Sequence, residues 1–287
     1  MRISQDMNFF LVPRVSCVVF FLCCLLITTG YSQAIEWQQL EKGLYLTQLS
    51  EKQGKDRQEG DEPDIFVLKI DPDYFRFRLL SASEYQGQRR SLQDWVEDFG
   101  LVAGINASMF WEDFETSTGY MKNFDHINND LIHPDYNAFF CFHPRDPDLP
   151  QLRLIDRINV LDWQEQIENY HTVIQSYRMI SSQQENVWQK NNQSHSVAAI
   201  GIEKETDDVF FIFSQKPRTI PRLNSILLSS PLSILTCMFV EGGPTAGLYI
   251  KAQSLQQGWY GLTTNSLWKE KPETFNKIPN IIGIKRK

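Results

Sequence analysis

Cysteine is scarce in this 287-residue chain, and three of its five cysteines, Cys17, Cys23 and Cys24, fall in the first 34 residues. The other two, Cys141 and Cys237, lie in the apolar runs AFFCF and LTCMFV, where a free thiol packs as a small hydrophobe. They leave room for one disulfide in an oxidising compartment but form no zinc or redox motif. Basic tracts are also missing. Against 28 Lys and Arg stand 35 Asp and Glu, a net charge of −7, which argues against a nucleic-acid partner because phosphate needs a cationic surface. There is no Gly-x-Ser-x-Gly elbow, P-loop or dinucleotide fingerprint. His126, His133 and His143 are widely spaced, without a His-x-x-x-His pair, so a zinc site has no support. DHINND supplies oxygen atoms for a Ca²⁺ ion but lacks the calcium-loop pattern, and no cofactor is predicted.

Long hydrophobic runs are missing too. The longest uncharged stretch, VSCVVFFLCCLLITTG, has an apolar core of about 15 residues, short of the ~20 that span a bilayer. Arg2 and Arg14 precede it and the small residues of Ser32-Gln33-Ala34 follow, the order of a secretory signal cleaved after Ala34. An uncleaved N-terminal anchor is the alternative. Cleavage would leave residues 35–287, a periplasmic or secreted chain of net charge −8 whose membrane contact is transient. Its length supports one large core without disulfides, and no repeat or linker divides it.

What is present reads as an α+β domain with mixed or antiparallel sheets and long polar loops. EWQQLEKGLYLTQL contains a first strand, and IFVLKI with YFRFRLLS reads as a hairpin around Asp71-Pro72-Asp73. SLQDWVEDF predicts a short helix capped by Ser91. LVAGINASMF, YNAFFCFHP, LRLIDRI, HTVIQSYRMI and CMFVEGG are strand candidates, with VLDWQEQIENY helical between them. SVAAIGIEK and VFFIFSQ suit a hairpin, TIPRLNSILLSS an amphipathic helix, and the tail IPNIIGIKRK an edge strand. Trp111–Asp135 is a long polar segment without hydrophobic period.

CMFVEGGPTAGLYI poses the functional question. Glu241 ends an apolar strand and is followed by Gly242 and Gly243, which permit close approach of backbone and ligand, then by the hydroxyl of Thr245. A carboxylate costs free energy to desolvate, so this is either a site or a turn with its charge in water. Asn106 ends another apolar strand and suits either a sugar hydroxyl or its own turn. Gln175 and Arg178 form a polar island in VIQSYRMI, where Arg178 suits a phosphate or an ion pair. His195 precedes an apolar run. Tyr120 and Asn123 bring an aromatic ring and an amide to a sugar-compatible loop, and Glu112 and Asp113 are candidates for a second carboxylate.

The ordered set VAGINASMFW with TSTGY, QSYRMI, SVAAIGIEK with VFFIFSQKP, and MFVEGGPTAGLYI resembles the phosphodiester glycosidase family, over roughly residues 101–251. The family includes N-acetylglucosamine-1-phosphodiester α-N-acetylglucosaminidase and secreted bacterial proteins associated with exopolysaccharide. The resemblance places Asn106 on the family's Asn, Gly242 and Gly243 on its glycine pair, and Thr245 on its Ser. Glu241 stands where the family commonly has Asp, and His195 where it often has Arg. It implies hydrolysis of the C1–O bond of a sugar-1-phosphodiester or exopolysaccharide, with Glu241, Arg178 and Asn106 catalytic. Tyr120, Asn123, Gln175, His195, Gly242, Gly243 and Thr245 would bind substrate. A non-catalytic glycan-binding or assembly protein and a metal-dependent phosphodiesterase are the competing readings.

Overall fold

The computed structural model describes residues 35–51, 63–188, 193–262 and 276–287. The expected signal segment and much of the polar loop before IFVLKI lie outside these residues. Among them, strands form three large sheets with short helices on their outer faces, the α+β architecture expected.

The first sheet runs β1 (Gln38–Glu41), β2 (Leu44–Leu49), β3 (Ile65–Ile70), β14 (Val209–Arg218), β13 (His195–Glu203), β15 (Ile234–Gly242) and β12 (Arg178–Ile180). The second runs β10 (Leu152–Asp156), β9 (Ala138–Pro144), β11 (Tyr170–Ser176), β7 (Met121–Asn123) and β8 (His126–Asn129). The third runs β17 (Gln256–Tyr260), β16 (Gly247–Lys251), β6 (Ala103–Asn106), β19 (Asn280–Arg286) and β4 (Phe75–Ser81). A small ladder joins β5 (Arg90–Ser91) to β18 (Lys277–Ile278), and the described pairings are antiparallel.

Inner faces of all three large sheets meet in one core. Phe66 and Phe211 come from the first, Phe140 and Ile174 from the second, Phe77 and Leu248 from the third. The strand β13 is apolar from Val197 to Ile202 because that stretch is buried on both sides. Ala198, Ile200 and Ile202 face the common core, while Val197 and Ala199 face the cluster beneath α3 (Ile220–Ser229). Ile220, Leu223, Ile226 and Leu227 form the buried stripe of that helix. Its Thr219 stands at the cap position without a side-chain capping bond. The helix α1 (Leu92–Asp98) begins as expected, with Ser91 Oγ accepting from Asp94 N at 3.0 Å. A third helix, α2 (Trp163–Glu168), covers the outer face of the second sheet.

Four local expectations are corrected. Strands β3 and β4 are not a hairpin, since β3 pairs with β2 and β14 whereas β4 pairs with β19 in another sheet. The difference lies in burial: β3 is buried on both faces, while β4 turns Arg76 and Arg78 away from the core. HTVIQSYRMI is two strands in two sheets, β11 and β12, broken at Tyr177. The tail strand β19 is no edge, because it lies between β6 and β4. The polar segment 111–135 contains the β7–β8 hairpin. Cys141 and Cys237 are both free and buried, in separate clusters, so the disulfide is not formed.

Candidate functional site

Glu241 is the penultimate residue of β15, just before the chain leaves the first sheet for β16 in the third. A bulge precedes it: Ala199 pairs with Phe239 and Ala198 with Glu241, which leaves Val240 as the extra residue. A bulge re-aims side chains, and here it sets Glu241 opposite Ala198, whose side chain faces the common core. Glu241 is only 8% exposed. Burial pushes its carboxyl up to about 8, against the lowering effect of the Gly242 N–H and the Thr245 hydroxyl. The Gly242 N–H donates to Oε1 at 2.8 Å.

The loop after Glu241 is latched from several sides. Asn106, at the end of β6 and 1% exposed, donates from Nδ2 to Thr245 O at 3.0 Å and accepts from Gly247 N at 2.9 Å. Asn276 Nδ2 donates to Pro244 O, and Gly261 N to Ala246 O. Asn106 therefore acts here as the clamp of the Glu241 loop. Thr245 Oγ1 lies 3.3 Å from Gly242 O.

The two glycines are required for different reasons. A methyl group on Gly242 would stand 2.7 Å from His195 Nδ1 and 3.1 Å from Phe239 Cζ, so glycine lets the imidazole close over the chain. Gly243 has φ +73° with open space around its missing Cβ. Gly242→Ala is expected to displace His195 and cost about 1–3 kcal/mol. Gly243→Ala should cost about 1 kcal/mol of backbone strain and leave His195 in place. Denaturant unfolding, with NMR of the His195 ring, separates them; an unmoved His195 signal in Gly242→Ala would contradict the close packing.

Arg178 begins β12 opposite Met238 of β15, three residues before Glu241, or about 10 Å along an extended strand. Met238 faces the common core, as does Ala198 opposite Glu241. Arg178 Nη1 contacts Asp156 Oδ1 at 2.6 Å, and Asp156 is buried at the end of β10. The sequence reading missed Asp156. It also accepts from Ile158 N, Asn159 Nδ2 and Ser182 N, which makes it the anchor that aims Arg178.

The remaining candidates lie elsewhere. Gln175 is fully buried and makes all four of its side-chain hydrogen bonds with backbone. Oε1 accepts from Tyr120 N and His133 N, and Nε2 donates to His133 O and Tyr136 O. It has no group left for a sugar, which corrects its expected role. The Tyr120 ring packs in the cluster under α2, on the outer side of the second sheet. Asn123 is held by Leu79 O, Glu84 Oε1 and Thr172 Oγ1. Asp113 Oδ1 closes its own exposed turn on Glu115 N and Thr116 N, and Glu112 is exposed beside it. Neither bonds to the Glu241 loop. In DHINND, Asn128 Oδ1 accepts from Ser117 N and Asn129 Oδ1 from Leu131 N, so both amide oxygens serve the local backbone. Among the described residues, no group of three or more His, Cys, Asp or Glu is placed to hold a metal ion.

An aromatic series was also missed. Rings run from Tyr136 to Tyr177 (4.2 Å between centroids), Trp188 (5.4 Å), Phe239 (5.6 Å) and finally His195 (6.0 Å), beside Gly242. Met109, Tyr177 and Trp188 are only partly buried there. These residues come from three separate segments, so no local pattern announces them.

The phosphodiester glycosidase family pattern matches residues 99–285 of this chain. The fold is similar to the catalytic domain of zebrafish N-acetylglucosamine-1-phosphodiester alpha-N-acetylglucosaminidase, auto-inhibited by its pro-peptide, at TM-score 0.55 and 11% identity over 90% of this chain and 85% of that one. It is also similar to a hypothetical protein from Synechocystis, at TM-score 0.57 and 14% identity over 88% of this chain and 63% of that one. No curated protein matches. With its pattern spanning well over half the sequence, the chain belongs to the phosphodiester glycosidase family.

Proposed function

We propose that this protein hydrolyses the glycosidic C1–O bond of a sugar-1-phosphodiester, in a free glycoside or an exopolysaccharide, outside the cytoplasm. The observation that carries this reading is Glu241, a buried carboxyl held at a strand end, next to Gly242 with His195 closed over it, and followed by a clamped glycine loop. Phosphate leaves readily without a proton, so catalysis at C1 needs a base for water and negative charge beside an oxocarbenium-like carbon. Burial makes Glu241 a stronger base than an ordinary carboxylate, poised close to working pH. Arg178, aimed by Asp156 with one of its five N–H groups engaged there, offers the others to the departing phosphate. His195 donates from Nδ1 to Ser196 O at 2.9 Å, which leaves Nε2 to accept from a sugar hydroxyl, and the Tyr177–Trp188 rings offer a face to the sugar. Asn106 positions Glu241 by holding its loop.

This assignment predicts turnover that rises with pH, because the ionised carboxylate does the work. Activity of residues 35–287 on a panel of α- and β-sugar-1-phosphodiesters should climb through an apparent pKa near 8. Glu241→Gln should lose about 10²–10⁴-fold at every pH. A rate that falls through the same range would make the protonated form the active one and overturn the base role. Glycan binding by a folded protein without turnover would favour the non-catalytic reading.

A further inference from the structure

Away from the Glu241 loop, a serine hydroxyl and an imidazole meet between the third sheet and the second. Ser83 lies in the 3₁₀ turn Ala82–Glu84 that follows β4, and His126 opens β8. Ser83 Oγ stands 2.8 Å from His126 Nε2, and both residues are partly exposed. The neighbours decide where the hydroxyl proton goes. Asn128, two residues along β8, donates from Nδ2 to Ser83 Oγ at 2.8 Å. An amide N–H only donates, so it takes one lone pair and leaves the Ser83 proton to go elsewhere. Ser81 Oγ is 3.2 Å away, and its own proton goes to Glu84 Oε2 at 3.0 Å. The imidazole is the closer acceptor, so Ser83 donates to Nε2 and the ring carries its own proton on Nδ1. The parts are fixed from behind. Asn128 Oδ1 accepts from Ser117 N at 2.7 Å, and Nδ2 also donates to Glu115 O at 3.1 Å. Tyr85 N and Gly87 N both donate to Ala82 O, which closes the turn that carries Ser83. His126 pairs with Asn123 across the two-residue turn Phe124-Asp125. Among the described residues no carboxylate bonds to His126 Nδ1, so the arrangement is a dyad.

We propose that Ser83 and His126 are the nucleophile and base of a second hydrolytic site, which cleaves a short-chain O-acyl ester. Ser83 Oγ attacks the ester carbonyl carbon while its proton passes to His126 Nε2. Asn128 Nδ2, released from Oγ as the new bond forms, is the donor at hand for the carbonyl oxyanion. The bond from carbon to the alcohol oxygen then breaks, and His126 gives its proton to that oxygen. The acyl group stays on Ser83 until water attacks the same carbon, with His126 taking a proton from the water. The acid departs and Ser83 Oγ recovers the proton. The groups about the hydroxyl, Ser81, Asn128 and the Glu84 carboxylate beyond Ser81, are polar and favour a short acyl chain over a long apolar one. This site shares no residue with the Glu241 loop and does not depend on glycosidase activity.

Covalent labelling by a fluorophosphonate, read by peptide mass spectrometry, together with hydrolysis of p-nitrophenyl acetate, tests this on the full chain. The wild-type protein should take the label on Ser83, a result that needs no variant to fold. Ser83→Ala should lose the label, and His126→Gln should slow both labelling and acetate release about 100-fold. Glu241→Gln should leave both unchanged. An absence of label in the folded wild type, or label on another residue alone, overturns the proposal. Acetate release that persists at the wild-type rate in Ser83→Ala overturns it as well. Turnover of p-nitrophenyl octanoate as fast as that of the acetate overturns the short-chain preference.

Discussion

Glu241→Gln is expected to make the protein more stable than wild type at alkaline pH while leaving stability near pH 4.5 little changed. The folded-state pKa of Glu241 is raised by burial to about 8 from an ordinary value near 4.5. Between these values the unfolded chain has released the proton and the folded chain still holds it. Folding then requires proton uptake, and stability falls as pH rises, by about 1.4 kcal/mol per pH unit. Above about 8 both states are ionised and the loss levels off at several kcal/mol. The glutamine keeps the shape and an acceptor for the Gly242 N–H but has no proton to lose. Urea unfolding at intervals from pH 4 to 9 measures the difference between the two proteins. It should widen steadily from pH 4.5 to 8; a constant difference would mean that the Glu241 carboxylate is solvated in the folded state.

The second large effect is on Asp156. Replacing it with alanine leaves the mostly buried Arg178 guanidinium without its counter-charge and strands the donors of Ile158 N, Asn159 and Ser182 N. Breaking a buried pair on one side costs about 3–5 kcal/mol, a large share of the 5–15 kcal/mol that holds a typical domain together. Asp156→Leu combined with Arg178→Met should recover much of that loss, because the penalty comes from an unpaired charge more than from a missing attraction. A loss under about 1 kcal/mol for Asp156→Ala would show that water reaches Arg178.

The parts of this fold that were legible in the sequence are those fixed by neighbours in the chain. Ser91 and Asp94 announce α1 because capping acts across three residues, and the β13–β14 pair shows as two apolar runs around a polar turn. Sheet membership was not legible. The turn at Asp71–Asp73 looks the same whether β4 folds back on β3 or crosses to another sheet, and only the partner β19, some 200 residues on, decides it. The site divided the same way. Glu241, Gly242 and Gly243 stand out because a charge and two glycines at a strand end are locally costly. Gln175 looked like a ligand-binding amide, but its four partners lie in the separate segment Tyr120–Tyr136, invisible from its own surroundings. Asp156 and Trp188 were missed for the converse reason, since their importance comes from Arg178 and Phe239 across the fold.

The bond that breaks is the central claim, and hydrolysis in ¹⁸O-labelled water tests it most directly. Wild-type residues 35–287 should yield free sugar carrying the label at C1 with an unlabelled phosphate monoester, and Glu241→Gln should yield neither. Label in the phosphate, at a rate indifferent to Glu241, would place cleavage at phosphorus and contradict the account.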